Sequence, residues 1–89
     1  MFEINYSKSF KKDFKKLNEI DRELTLEVLE KLSRDEKLDP KYKDHDLKGK
    51  LSGARDCHIR FDLVLIYKYN NEVLEIVALR IGKHSEVFK

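Results

Sequence analysis

Leu63-Val64-Leu65-Ile66-Tyr67, five consecutive apolar residues, constrains this chain more than any other segment. A short unbroken run rich in branched and aromatic side chains is a central strand, and a central strand needs neighbours. Before it, Cys57, Ile59 and Phe61 alternate with Asp56, His58, Arg60 and Asp62. That alternation predicts a strand with one apolar face and one face of ionisable groups. After it, Tyr69-Asn70-Asn71-Glu72 reads as a hairpin turn and Val73 to Arg80 as a third strand. Gly82 then ends the strand, and Lys83 to Lys89 form a short tail.

The first half reads differently. Phe2, Ile4 and Tyr6 alternate with Glu3 and Asn5 as in a short half-buried strand, and Ser7 is placed to cap a helix. Phe10, Phe14 and Leu17 repeat at helical spacing, leaving Lys8, Lys11, Lys12, Lys15 and Lys16 outward. Those lysines are either a solvated face or a flank that attracts phosphate. Asn18 and Asp21 punctuate the chain before a second helix from about Arg22 to Arg34, striped by Leu24, Val28 and Leu32. Ile20 enters that stripe, Leu29 widens it, and Leu26 lies off it, free to face a partner. Pro40 ends the helical region. Asp39 to Gly53 is then a mostly irregular polar loop with a short extended piece near Leu47. The expected fold is one α+β domain over residues 1–89, ordered β-α-α-β-β-β. It has an N-terminal strand, a helical hairpin and a three-stranded antiparallel C-terminal sheet.

Charged residues make up 40% of the chain, but the apolar 40% is patterned, which predicts a folded domain. Nineteen basic against seventeen acidic side chains give a net charge of +2, unlike a polybasic arm. A nucleic-acid partner would therefore need the positive charge gathered on one surface. Cys57 is the only cysteine, so no internal disulfide forms, which fits the reducing cytoplasm. The apolar run is too short for a bilayer and the N-terminus lacks the marks of a signal peptide, so a soluble cytoplasmic protein is expected.

His45 in the loop, His58 on a strand and His84 in the tail are the residues best suited to proton transfer near neutral pH. With Asp44, Asp56 or Asp62 they offer enough donors for zinc, but no H-E-x-x-H or Cys-x-x-Cys spacing is present and no cofactor is expected. Alternation points the Cys57 thiol into the apolar face, which argues against a cysteine nucleophile, and Gly49 and Gly53 simply permit turns. Lys48, Lys50, Arg55, Arg60 and Arg80 are the candidate cations. Arg80 either pairs with Asp56 or Asp62 or grips a phosphate, and Phe88 is either a core contact or a ring for base stacking.

Several spaced blocks carry a resemblance: Tyr42-Lys43-Asp44-His45-x-Leu47-x-Gly49, Gly53-x-Arg55-Asp56-x-His58, Asp62-x-x-Leu65-Ile66-Tyr67-Lys68 and Arg80-x-Gly82-x-His84-x-x-x-Phe88. In this order they resemble the YafQ branch of the RelE/ParE toxin superfamily. The resemblance implies a ribosome-dependent endoribonuclease that cuts messenger RNA and is neutralised by a cognate antitoxin, expected to be acidic and partly disordered when free. It also implies active-site roles for His45, Asp56, His58, Asp62, His84 and Phe88, with Arg80 matching a basic position of the wider superfamily. By their charge, Lys43, Lys48, Lys50 and Arg55 are the candidates for RNA binding. RNA carries its own nucleophile, so one imidazole would take the 2′-hydroxyl proton and another would protonate the leaving oxygen, with no metal. Arg80, helped by Lys48 or Lys50, would stabilise the transition state, and Asp56 and Asp62 would tune the histidines. The rival functions are a non-enzymatic ParE-like toxin, an inactive partner-binding module of the same fold, and a metal-dependent nuclease.

Overall fold

The computed structural model describes residues 1–88. Strand β1 (Glu3–Tyr6) leads into helix α1 (Lys8–Lys15), and Ser7 makes the junction. Its hydroxyl oxygen accepts the Phe10 N–H at 2.9 Å and donates to the Leu79 carbonyl at 2.8 Å, so one side chain caps the helix and ties it to the sheet. Helix α2 (Glu19–Ser33) is capped by Asn18, whose side-chain oxygen accepts the Asp21 N–H at 2.8 Å. The helix therefore starts before Arg22, and Ile20 falls outside the apolar stripe, 68% exposed. Val28, Leu29 and Leu32 are buried as expected, and Leu26 is exposed.

Beyond α2, the chain adds β2 (His45–Asp46), β3 (Arg55–Arg60), β4 (Leu63–Asn70), β5 (Glu75–Gly82) and a short helix α3 (His84–Val87). The sheet has five strands in the order β1-β5-β4-β3-β2, with β1 parallel to β5 and the other pairs antiparallel. β4 is central, and the consecutive apolar run follows from that position. Leu63, Leu65 and Tyr67 join the main core beneath the helices, with Phe10, Val28, Leu29, Leu32, Cys57 and Ile76. Val64 and Ile66 point to the other face, where Ala54 and Val87 cover them with Leu47, Leu79 and Phe88 alongside. Because both faces are covered, the run has no polar side.

Three local expectations are corrected. The hairpin turn lies after Asn70, with Leu74 at φ 50°, so Tyr69 stays in β4 and packs on Phe2. β3 ends at Arg60, and a register shift between His58 and Arg60 turns Phe61 out of the apolar face to 91% exposure. Pro40 does not end a helix; it opens a single 3₁₀ turn, Pro40–Tyr42, well after α2 has closed at Ser33. The extended piece near Leu47 is β2, and the tail coils into α3. Among the described residues, no helix is long and apolar enough to cross a membrane.

Candidate active site

The period of β3 separates its residues by chemistry. Cys57 and Ile59 enter the main core, and burial pushes the Cys57 thiol well above its ordinary range, so it is no nucleophile. Asp56, on the opposite face, has a side chain only 3% exposed. The β2–β3 register sets His45 directly across from it, with His45 Nδ1 3.0 Å from Asp56 Oδ1. The same nitrogen lies 2.7 Å from the Lys43 carbonyl, which accepts a hydrogen bond from it when Nδ1 carries the hydrogen. Asp56 Oδ1 itself is left buried without a hydrogen-bond partner. Burial raises the Asp56 pKa, while the nearby His45, His58 and His84 pull it back, in that order of strength. One carboxylate therefore sits in the field of all three imidazoles.

His58 pairs with Val64, and Val64 with Gly82, so the residues just after Gly82 rise beside His58. His84 opens α3 there. Its backbone N–H donates to Asp62 Oδ1 at 3.2 Å, and its ring lies 4.6 Å from that of Phe88. Phe88 thus touches both the small apolar cluster and an imidazole. His58, Asp62 and His84 line one open cleft of about 560 Å³, together with Lys41, Tyr42, Lys43 and Phe61.

Other candidates lie elsewhere. Arg80 does not pair with Asp56 or Asp62: Nε and Nη2 donate to Asp13 of α1 at 2.7 and 3.2 Å, and the Ile81 N–H donates to the same carboxylate at 3.1 Å. A strand irregularity between Ile66 and Tyr67, opposite Leu79 and Arg80, accompanies this change of direction. Arg80 lines a neighbouring depression of about 440 Å³, which shares Arg60, Phe61 and Asp62 with the histidine cleft. Arg55 is clasped by Asp44 at 3.3 Å and Asp46 at 2.5 Å, and the Tyr67 hydroxyl donates to Asp44 at 2.6 Å. Its guanidinium faces an acidic hollow of about 800 Å³ containing Asp35, Glu36 and Asp39, a poor setting for RNA. Lys48 and Lys50 are exposed in the β2–β3 connection and do not line the histidine cleft. Asp13 escaped the sequence reading, although it is the one acid between Lys8 and Lys16 and stands among five lysines.

On the helical side, Tyr6, Phe10, Phe14 and Leu26 form an apolar groove of about 320 Å³, with Lys11 and Lys15 at its rim.

A helical hairpin on one face of a mixed five-stranded sheet, with imidazoles and carboxylates gathered on the other, is the architecture of the RelE/YafQ-like toxins. Residues 2–89 match the family described as the bacterial toxin of type II toxin–antitoxin system, YafQ, and the chain belongs to that family. It is 33% identical to the mRNA interferase toxin YafQ of Escherichia coli K12, across 97% of this chain and 95% of that protein. A crystal structure of a metal-bound toxin from Helicobacter pylori superposes with TM-score 0.90 and 42% identity, covering 99% of this chain and 100% of that one. YafQ in the E. coli DinJ–YafQ complex superposes with TM-score 0.82 and 29% identity, covering both chains completely. Among the described residues here, no three His, Cys, Asp or Glu side chains converge as metal ligands.

Proposed function

We propose that this toxin is an endoribonuclease that cleaves messenger RNA on the ribosome, in the cytoplasm, through its own imidazoles and the 2′-hydroxyl of the RNA. The observation that carries the proposal is the shared cleft of His58 and His84, beside a buried carboxylate within the field of three imidazoles. The family, and the mRNA interferase of E. coli that the chain resembles, point the same way.

In this mechanism, His58 or His84 takes the proton from the 2′-hydroxyl. The freed oxygen attacks the adjacent phosphorus, and the other imidazole gives a proton to the departing 5′-oxygen. The products are a 2′,3′-cyclic phosphate and a 5′-hydroxyl. Asp56 stabilises the imidazolium that forms after the first transfer. Asp62 holds the start of α3, and with it His84, through the His84 N–H. Lys41 and Lys43 supply positive charge at the cleft, and Arg80, held by Asp13, takes a neighbouring phosphate of the same strand. Phe88 supports the His84 ring and offers its free edge to a nucleotide. No step in this mechanism calls on a metal, because the RNA supplies the nucleophile and the imidazoles carry the protons.

The antitoxin is proposed to lay an acidic, apolar-faced segment into the groove at Phe10, Phe14 and Leu26. The lysines of α1 match its charge. E. coli YafQ forms a complex with DinJ, so a relative of this chain binds an antitoxin.

The test is incubation with mRNA on programmed ribosomes, with and without chelator, followed by mapping of fragment ends. Cleavage under both conditions is expected. With a chelator selective for transition metals and Mg²⁺ held constant for the ribosome, intact message in both would refute the enzyme, and loss of cleavage in chelator alone would refute its independence of a transition metal.

A further inference from the structure

Phe61 occupies a place where a large apolar ring is unexpected. It begins the tight turn between β3 and β4, with Asp62 following at φ 55°, a position type that favours small polar residues. The ring is 91% exposed and belongs to neither apolar cluster.

The backbone beneath it is fastened on both sides. Arg60 Nε and Nη2 donate to the two oxygens of Asp21 on α2 at 2.6 and 2.7 Å, and Nη1 donates to Phe61's own carbonyl at 2.9 Å. On the other side, Asp62 accepts the His84 N–H at 3.2 Å. The turn is thereby tied to α2 and α3 together. A ring on a fastened backbone loses little conformational freedom when a flat ligand lies on it.

Its position matters as much. Phe61 is part of the wall shared by the histidine cleft and the depression that holds Arg80. Lys41 and Lys43 line the first; in the second, Asp21 and Asp13 are taken up by Arg60 and Arg80, and Lys16 and Lys83 stand with Asp62 and Glu86, so lysines lie on both sides of the ring. A strand of RNA with one phosphate at the imidazoles and the next toward Arg80 would carry an adjoining base across this wall. Such a surrounding suits a polyanion with stacking bases more than an apolar peptide. The apolar groove suited to a peptide lies elsewhere, at Phe10, Phe14 and Leu26.

We propose that Phe61 is a stacking platform for the nucleobase next to the scissile phosphate, carried on the clamped β3–β4 turn. This assignment rests on the RNA-cleaving function proposed above. Stacking on an aromatic face is tolerant of base identity, so the platform contributes affinity and not a sequence code.

The test compares wild type, Phe61→Leu and Phe61→Trp on mRNA-programmed ribosomes. Loss of the ring in Phe61→Leu should raise KM about tenfold or more while kcat and thermal stability stay near wild type. Phe61→Trp should restore KM. Because the chain contains no tryptophan, Phe61→Trp is also a unique emitter, and a 2′-O-methylated single-stranded RNA should quench it. Wild-type KM in Phe61→Leu, or emission that responds to an antitoxin peptide but not to RNA bound at saturation, would overturn the proposal. A wild-type control that leaves mRNA intact would instead refute the underlying enzymatic function, and the platform with it.

Discussion

His45 and Asp56 face each other across the β2–β3 pair with Nδ1 and Oδ1 3.0 Å apart, while the same Nδ1 lies 2.7 Å from the Lys43 carbonyl. The carboxylate is left buried and unbonded at that oxygen, in the field of three imidazoles. A site arranged in this way gives up stability for function, because a buried unsatisfied acceptor costs roughly 1–3 kcal/mol.

The first prediction follows directly. Asp56→Asn should match or exceed wild-type stability by about 1 kcal/mol near pH 7, while cleavage falls at least roughly tenfold. The sign comes from the raised folded-state pKa of Asp56. Below the unfolded value of about 3.9 the carboxyl is neutral in both states and carries no penalty. As pH rises through the folded value, the charge is forced into a buried place and stability is lost. Denaturant unfolding of both proteins across pH should show their stabilities converging in acid and separating toward neutrality.

The Asp21–Arg60 pair should behave in the opposite sense. Hydrogen bonding from Arg60 holds the Asp21 carboxyl below its ordinary range. Its contribution is therefore present above the unfolded pKa of about 3.9 and lost as pH falls through the folded value. Because the Arg60 side chain is half exposed, Asp21→Ala should cost only about 1 kcal/mol at neutral pH. Calorimetry should also show the difference from wild type shrinking in acid.

Removing either imidazole of the shared cleft should be far more damaging to chemistry than to folding. His58→Ala and His84→Ala are each expected to lower the single-turnover cleavage rate about 10²–10⁴-fold with little loss of stability. Both side chains reach the open cleft, so neither is a core contact. Full activity in both variants would exclude them as acid and base.

The apolar groove on the helical side gives a separate prediction. Leu26→Asp adds a negative charge to an exposed apolar position beside Phe10 and Phe14. Antitoxin binding measured by calorimetry should weaken about tenfold or more, while mRNA cleavage in the absence of antitoxin stays unchanged. Unaltered affinity would place the antitoxin elsewhere.

Much of this arrangement was legible in the sequence because it depends on local periodicity. The run at Leu63–Tyr67 announces the central strand, Ser7 the start of α1, and the β3 alternation the opposite orientations of Cys57 and His58. The spaced polar blocks identified the family, and the sheet explains their spacing, since His45 opposes Asp56 and His84 follows the Gly82 row. Contacts between distant elements left no such trace. Asp13 and Arg80 are 67 residues apart, Asp21 and Arg60 39 apart, and neither pair follows from a repeat in the chain. Arg80 was expected to pair with Asp56 or Asp62 or to grip a phosphate, because it ends an apolar strand and matches a basic position of the superfamily. The irregularity opposite Leu79 and Arg80 depends on how β4 and β5 pair. The exposure of Phe61 likewise depends on where β3 stops, which alternation alone does not reveal.

The chemistry has one decisive requirement: the oxygen that attacks phosphorus belongs to the RNA. The most direct measurement is cleavage of an mRNA on programmed ribosomes with a single 2′-deoxy substitution at the nucleotide before the mapped cut. Loss of cleavage at that bond, with a 2′,3′-cyclic phosphate end on the all-ribose control, is the predicted result. Undiminished cleavage of the deoxy-substituted bond would contradict the mechanism.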